Sequence, residues 1–423
     1  MVRKAAVLLA LVLSIIFHVN SQDFKAGAAL RVITPDPLLP VSGGVGTPNP
    51  VSEKKGDLYV RAMVMENNGH RVAIVGIDNL GWPAVLADKS RALVEDIPPE
   101  NILIGVTHTH SAPDAYGFPN EKGEILADMD YLNWCVEQIA DAVNEASNNL
   151  EPAALKIAVD EAKGQIAYNY YAPQLYDPRC GVIQAVSTTG KNKGRVISTL
   201  VNYAIHPEVI GPERGILTPD LCGPLYDKIE SEVGGIAIFM NSAQGGMVTA
   251  DNRRPNGEEE NTWEECIRIG ELLADQALAI IENAELQTNP AMTCTSRVIQ
   301  LPVETELMRA LIDHSTMKLN LSDNYTLNTR INLVNVGTAQ ILTIPGEALP
   351  NIGYYLKRNM DTPHAFLFGL TNDAFGYIMT KEDFNSFKRY DYISRTSLGE
   401  MTGEIFVQEA LQLIKENPVN SNF

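Results

Sequence analysis

The sequence predicts an α/β fold, with mixed β-sheets flanked by helices in a single large domain. Three observations carry that prediction. Short, continuous apolar runs such as ILIGV at Ile102–Val106 and IAIFM at Ile236–Met240 read as strands covered on both faces. Two long segments carry apolar residues at the helical period. Strand-like and helix-like stretches alternate with no internal repeat, low-complexity segment or Pro/Gly/Ser-rich linker to divide them.

Residues 1–21 read as a secretion signal outside the fold. Arg3 and Lys4 form a positive start, Ala5–Phe17 is an apolar run broken only by Ser14, and Val19 and Ser21 precede a cleavage point before Gln22. Such a run is too short to cross roughly 30 Å of hydrocarbon. The remaining chain, 22–423, is therefore expected to be secreted or periplasmic, with no transmembrane anchor.

Strands are expected at Asp57–Met65, Arg71–Ile77, Ile102–Val106, Ala154–Val159, Val182–Val186, Arg195–Ala204, Ile236–Met240 and His364–Leu370. Asn332–Ile344, with Gly337 at its middle, reads as a hairpin. A helix is expected at Tyr131–Ala146, with Leu132, Cys135, Ile139 and Val143 on one stripe. Another is expected at Thr262–Ala284. It opens with Thr262 and Glu265 in capping-box spacing and repeats Ile269, Leu272, Leu273, Gln276 and Ile280. Val41–Lys55 and Asn252–Asn261 read as surface loops beside a site, and Glu416–Phe423 as a frayed tail.

The 423 residues include 33 Lys+Arg and 52 Asp+Glu, a net charge of −19, with 45% hydrophobic and 20% charged residues. This balance is globular and excludes intrinsic disorder. A surface so acidic repels phosphate backbones, which excludes nucleic acid as a partner. Cys135, Cys180, Cys222, Cys266 and Cys294 are odd in number and far apart, without a C-x-x-C. Neither a zinc ribbon nor a redox dithiol is supported, while one or two disulfides and plain buried thiols are both open readings.

The chemistry concentrates where strands stop. His70 lies in a hairpin turn and His314 on an exposed helix face, so both read as structural. The apolar strand ILIGV runs into Thr107-His108-Thr109-His110, and in an extended chain residues i and i+2 point to the same side. A second strand exits into His206-Pro207, and a third into Pro345-Gly346-Glu347. Three N/O donors from three strand ends is the layout of a catalytic zinc with an open position, placed at the carboxyl ends of strands.

The blocks around these residues resemble, in order and spacing, those of the neutral/alkaline non-lysosomal ceramidases, zinc amidases that split ceramide into sphingosine and fatty acid. GAALRVITP is similar to the family's opening strand and LYVRAMVMENNGHRVAIVGID to the next pair. VTHTHSAPD resembles T-H-T-H-S-G-P, LVNYAIHPEVIG with LTPDLCG resembles the second His block and its S-G-D, and TIPGEALP resembles the P-G-E block. GLTNDAFGYIMTKEDF resembles the block with Y-I-T-T-x-E-E-Y. The resemblance runs from Gly27 to Ser397 and covers the amino-terminal catalytic domain, with no counterpart of the family's carboxyl-terminal β-sandwich.

The resemblance implies one zinc per chain, held by His108, His206, Glu347 and Tyr377. It places His110 beside the metal as a proton shuttle and gives Asp220 the role of orienting a ligand histidine or supporting the site. It implies a small-molecule or lipid amide as substrate. Two departures stand out. The family's G-D-V-S-P-N appears as Gly246–Asp251, with Met247 for the Asp and Thr249 for the nucleophilic Ser, and its N-R-S appears as Asn169-Tyr170-Tyr171. With the acidic neighbour gone, water activated at the metal is expected to attack, and Thr249 to line the pocket. A zinc esterase or lactonase on the same scaffold, and a non-catalytic zinc-binding homologue, are the alternative readings.

Overall fold

The computed structural model describes residues 24–120 and 122–419, so the expected secretion signal lies outside the described residues. These residues form mixed sheets flanked by helices, as the apolar runs predict. The larger sheet has nine strands. Eight run in the order Ile236–Asn241, Val196–Tyr203, Arg179–Ser187, Glu151–Glu161, Phe24–Val32, Tyr59–Asn67, His70–Ile77 and Ile102–Val106, and Leu286–Gln287 pairs beside Glu151–Glu161. Pairing is antiparallel through the middle and parallel at both edges. A four-stranded sheet of Met292–Pro302, Thr326–Val336, Ala339–Thr343 and His364–Phe368 packs against it.

The strand His70–Ile77 shows why these runs are apolar throughout. Val72 and Ile74 enter a core shared with Val334, Ile341, Phe366 and Phe368 of the smaller sheet. Ala73, Val75 and Ile77 turn the other way, toward Leu132, Ile139 and Val143 of the helix Met129–Asn148. Alternate side chains thus enter two different cores, and neither can be polar. Helices Cys222–Val233 and Trp263–Glu282 cover the other half of the same face. Glu306–His314, Pro350–Asn359 and Thr402–Glu416 cover the far face of the smaller sheet. The layers run helix, sheet, sheet, helix.

Local chemistry sets the helix starts. The Asp128 carboxylate accepts from the backbone of Asp130 and Tyr131, placing a negative charge at the N-terminus of Met129–Asn148. The Thr262 hydroxyl accepts from Glu265 N at 3.2 Å, but the Glu265 side chain turns to Arg268, leaving half a capping box. The buried stripe of that helix is Cys266, Ile269, Leu273, Ala277 and Ile281, so Leu272, Gln276 and Ile280 flank it.

Other differences have plain causes. The hairpin forms around Gly337 at φ 52°, but its first strand begins at Thr326. The edge strand Met292–Pro302 has no signal in the sequence because only Met292, Ile299 and Leu301 are buried, and the half-buried run Cys294–Arg297 between them breaks the alternation. All five cysteines are free thiols, which removes the disulfide reading. The tail is docked through residue 418: Asn335 donates to the carbonyls of Asn417 and Pro418, and Gln340 to that of Asn417. Among the described residues no helix is long and apolar enough to cross a membrane.

The larger sheet curls until its edges touch. Ile236–Asn241, at one edge, packs on His70–Ile77 and Ile102–Val106 at the other. Gly76 and Gly105 are register partners at that contact. A Cβ on Gly76 would lie 2.9 Å from the Phe239 carbonyl oxygen, and one on Gly105 2.6 Å from Met240 Cε. Only glycine allows so close an approach. The curl brings the strand exits bearing His108 and His206 together.

Candidate metal centre

Asn241, the last residue of the curled edge, holds the two exits. Its Nδ2 donates to Thr107 O at 3.0 Å and to Ile205 O at 2.7 Å. Its Oδ1 accepts from Ile205 N at 3.3 Å and Ser242 N at 2.9 Å. Each histidine-bearing loop thus starts from a fixed point one residue before its imidazole.

The rings of His108, His110 and His206 converge, with centroids 4.8–5.7 Å apart. Their ligand atoms lie within 4.8 Å of one another. Strand alternation is not what aligns His108 with His110. His108 has φ 71°, in the left-handed region, so the chain leaves the extended path there. Asp220 and Met247 also have positive φ, a grouping of strained residues typical of functional sites.

Each imidazole is anchored through Nδ1. His108 Nδ1 bonds the Leu80 carbonyl. His206 Nδ1 donates to the Val248 carbonyl at 2.8 Å. His110 Nδ1 lies 3.2 Å from Glu208 Oε2. Glu347 brings the carboxylate: its Oε2 lies 3.1 Å from His206 Nε2 and 3.6 Å from His108 Nε2. His110 Nε2 is buried without a hydrogen-bond partner among the described residues. Carbonyls and a carboxylate holding the outer nitrogens are the support that metal-bound histidines use to keep Nε2 free.

The electrostatics fit a cation. Burial pushes His108 and His110 down to about 3, so both are neutral. Burial also acts to lower His206, but its hydrogen bond to Glu347 and the charges of Glu208 and Glu347 raise it to about 9. Glu347 is held below the usual carboxylate range: burial opposes this, and the hydrogen bond and charge of His206, 3.1 Å away, overcome it. The cluster therefore already carries one positive charge against a buried carboxylate, the role a metal ion would take over with release of a proton.

Tyr377 pairs with Glu347 in the two short parallel strands Glu347–Ala348 and Tyr377–Ile378. Burial first, then Glu347, pushes its phenol well above the ordinary range, and its hydroxyl lies 3.3 Å from Met247 Sδ. His108, His110, Glu347 and Tyr377 line one cavity, with Gly43, Gly44 and Val45 of the loop expected beside the site.

Thr249 and Asp220 stand outside that cavity. Thr249 pairs through its backbone with His206 and lines a neighbouring depression, with Asn252, Glu259 and Asn261 of the second expected loop. Asp220 touches no imidazole among the described residues. Its carboxylate accepts from Val209, Ile210 and Leu221 N, so it fixes the loop that follows His206. Sequence reasoning missed Glu208 and Asn241. Glu208 had a usable signal, two residues past His206, whereas Asn241 had none.

No protein-family model and no curated protein sequence matches the chain. Solved structures do. Neutral ceramidase from Pseudomonas aeruginosa superimposes with a TM-score of 0.74 at 17% identity, over 95% of this chain and 76% of that one. A ceramidase complexed with C2 gives 0.72 at 17% identity, over 95% and 77%. The chain has a neutral-ceramidase-like fold.

Proposed function

We propose that this chain, as a domain spanning 22–423, is a secreted zinc-dependent hydrolase of acyl-amide bonds. His108, His206, Glu347 and Tyr377 would hold one zinc, and His110 would move the proton. The observation that carries this reading is the convergence of three Nδ1-anchored imidazoles, two of them facing the buried Glu347 carboxylate, within a fold that ceramidases also have. The donors are borderline nitrogen and hard oxygen, the set zinc takes at catalytic sites.

When bound, zinc supplies Lewis-acid polarisation of a carbonyl and lowers the pKa of water. The protein's own groups do the rest. Glu208 holds His110 so that Nε2 faces the cavity as a free base, placed to take a proton from water and give it to the departing amine. Tyr377 and Glu347 line the same cavity. Met247 stands where the resembled motif has an acidic residue two positions before Thr249, which supports water as the attacking group and Thr249 as a wall.

The test is metal analysis with a matched panel of acyl amides and esters. Wild type should hold one zinc per chain and cleave amides, and His206→Ala should lose the metal. Undiminished zinc in His206→Ala would remove the site as drawn. Turnover of esters alone would reassign the bond, and no turnover with metal bound would leave a binding protein.

A further inference from the structure

We infer that the loop between Val41 and Asn49 is a lid that closes over the metal cavity once a substrate is in place. The lid serves the amide hydrolysis proposed above, so it rests on that reading, and it adds how the open mouth is shut during the reaction.

The loop reads Val-Ser-Gly-Gly-Val-Gly-Thr-Pro-Asn, with three glycines around one apolar residue at its tip. Its base is fixed. Val41 N donates to Asn49 O at 2.9 Å, and Asn49 N to Val41 O at 2.7 Å. Val41 and Ser42 also pair with Pro113 and Ala112, just past His110. Gly43 lies on Pro212, where a Cβ would come within 2.4 Å of Cγ. The base is thus braced on the two segments that follow His110 and His206.

The tip is not held in this way. Among the described residues no hydrogen bond ties the backbone of 44–48 to anything outside the loop. Gly44 and Gly46 both have φ 145°, where a side chain would restrict the backbone. A Cβ at Gly44 would meet only the Tyr392 hydroxyl, at 3.4 Å, and one at Gly46 would meet nothing within 4 Å. Few contacts and unbonded backbone groups are the physical marks of a segment that moves at low cost.

The tip also gains by closing. Gly43, Gly44 and Val45 line the metal cavity, as does Tyr392. Val45 is 43% exposed and Tyr392 44%. Apolar side chains left in water at a cavity mouth are stabilised when they are covered. An apolar part of a substrate lying between them gives each a dry contact, so occupancy shifts the loop toward the closed position. Closure then shuts water out of the space around Glu347 and the imidazoles, which strengthens every electrostatic interaction there. Tyr392, edge-on to Tyr377 at 6.0 Å between centroids, is the stop on which the tip lands.

The test uses the zinc-loaded protein and octanohydroxamate, a metal-binding probe with an apolar chain. The observed binding rate, followed by intrinsic fluorescence, should level off as probe concentration rises, because closure follows binding. The amides of 44–47 should exchange at least about tenfold more slowly with probe bound, while those of 190–194 stay unchanged. Val45→Asn should speed probe release at least about tenfold with zinc content unchanged, and Val45→Leu should keep release slow. A binding rate that stays linear in probe concentration overturns the lid and leaves the hydrolase reading standing, as does unchanged exchange at the tip. Failure of the probe to bind overturns both.

Discussion

At the scale of single residues, the candidate centre depends on side chains that hold other side chains. His110 differs from His108 and His206 in its anchor, a carboxylate instead of a carbonyl. If it moves protons and does not hold the metal, His110→Ala should keep most of the zinc and lose about 10²–10⁴ in rate. Equal zinc loss in the His108 and His110 alanine variants would make both ligands. For Thr249, which lines the depression beside the histidine cluster, alanine should cost at most roughly tenfold to a hundredfold, about 1.4–2.8 kcal/mol of barrier. A trapped acyl group on Thr249 would reverse that assignment. Asn241→Ala strips partners from two buried carbonyls. It should destabilise the fold by about 1–3 kcal/mol per orphaned group and weaken zinc binding about 10–100-fold, as changes behind metal ligands do. Zinc titration of a folded Asn241→Ala sample checks this directly.

At the scale of elements, the question is how strands at opposite edges of one sheet deliver histidines to one point. The Gly76–Gly105 pair is the contact that allows it. The two glycines should respond unequally. A methyl at Gly76 meets backbone, the Phe239 oxygen, which cannot step aside without moving the strand. At Gly105 it meets no backbone, only Met240 Cε, the end of a side chain that can turn, and the Thr371 hydroxyl, whose bond to Gly369 O it would disturb. Gly76→Ala should therefore cost about 1–3 kcal/mol as overpacking, and Gly105→Ala clearly less. Urea unfolding of the two variants decides it, and equal losses would mean the edges do not define the contact.

At the scale of the whole molecule, stability depends on buried acids. Asp373 accepts from Ala84 N and Ala374 N through Oδ1. Burial, with a contribution from Asp88, pushes its carboxyl up to about 6, against the Ala374 and Ala84 amides and the Thr329 hydroxyl, and the buried Arg91 guanidinium lies nearby. The folded protein thus binds this proton more tightly than the unfolded chain, whose aspartates titrate near pH 3.9. The stability it contributes is present in acid and is lost as pH rises from about 4 through about 6, by at most about 3 kcal/mol. Asp373→Asn keeps the Oδ1 bonds and removes the titration. The gain of the variant over wild type in urea-unfolding free energy should be larger at pH 7 than at pH 4, and a pH-independent difference would contradict the assignment.

The sequence by itself determined the elements whose physics is local. Strands buried on both faces, such as Ile102–Val106 and Ile236–Asn241, must be apolar throughout, and an amphipathic helix such as Met129–Asn148 must repeat at its own period. It also marked His108, His206 and Glu347, because donors just past apolar strands stand out against their surroundings; Tyr377 came only from the resemblance. Met292–Pro302 stayed hidden, since this half-buried edge strand mixes polar and apolar side chains with no sustained alternation to read. Tertiary structure alone decided the rest. The curl of the sheet, the left-handed turn at His108, the Asn241 clasp and the Glu208–His110 pair join residues that are distant in the chain or aligned only by a backbone turn. Their energies come from the packing of the two sheets, so no local pattern in the chain announces them.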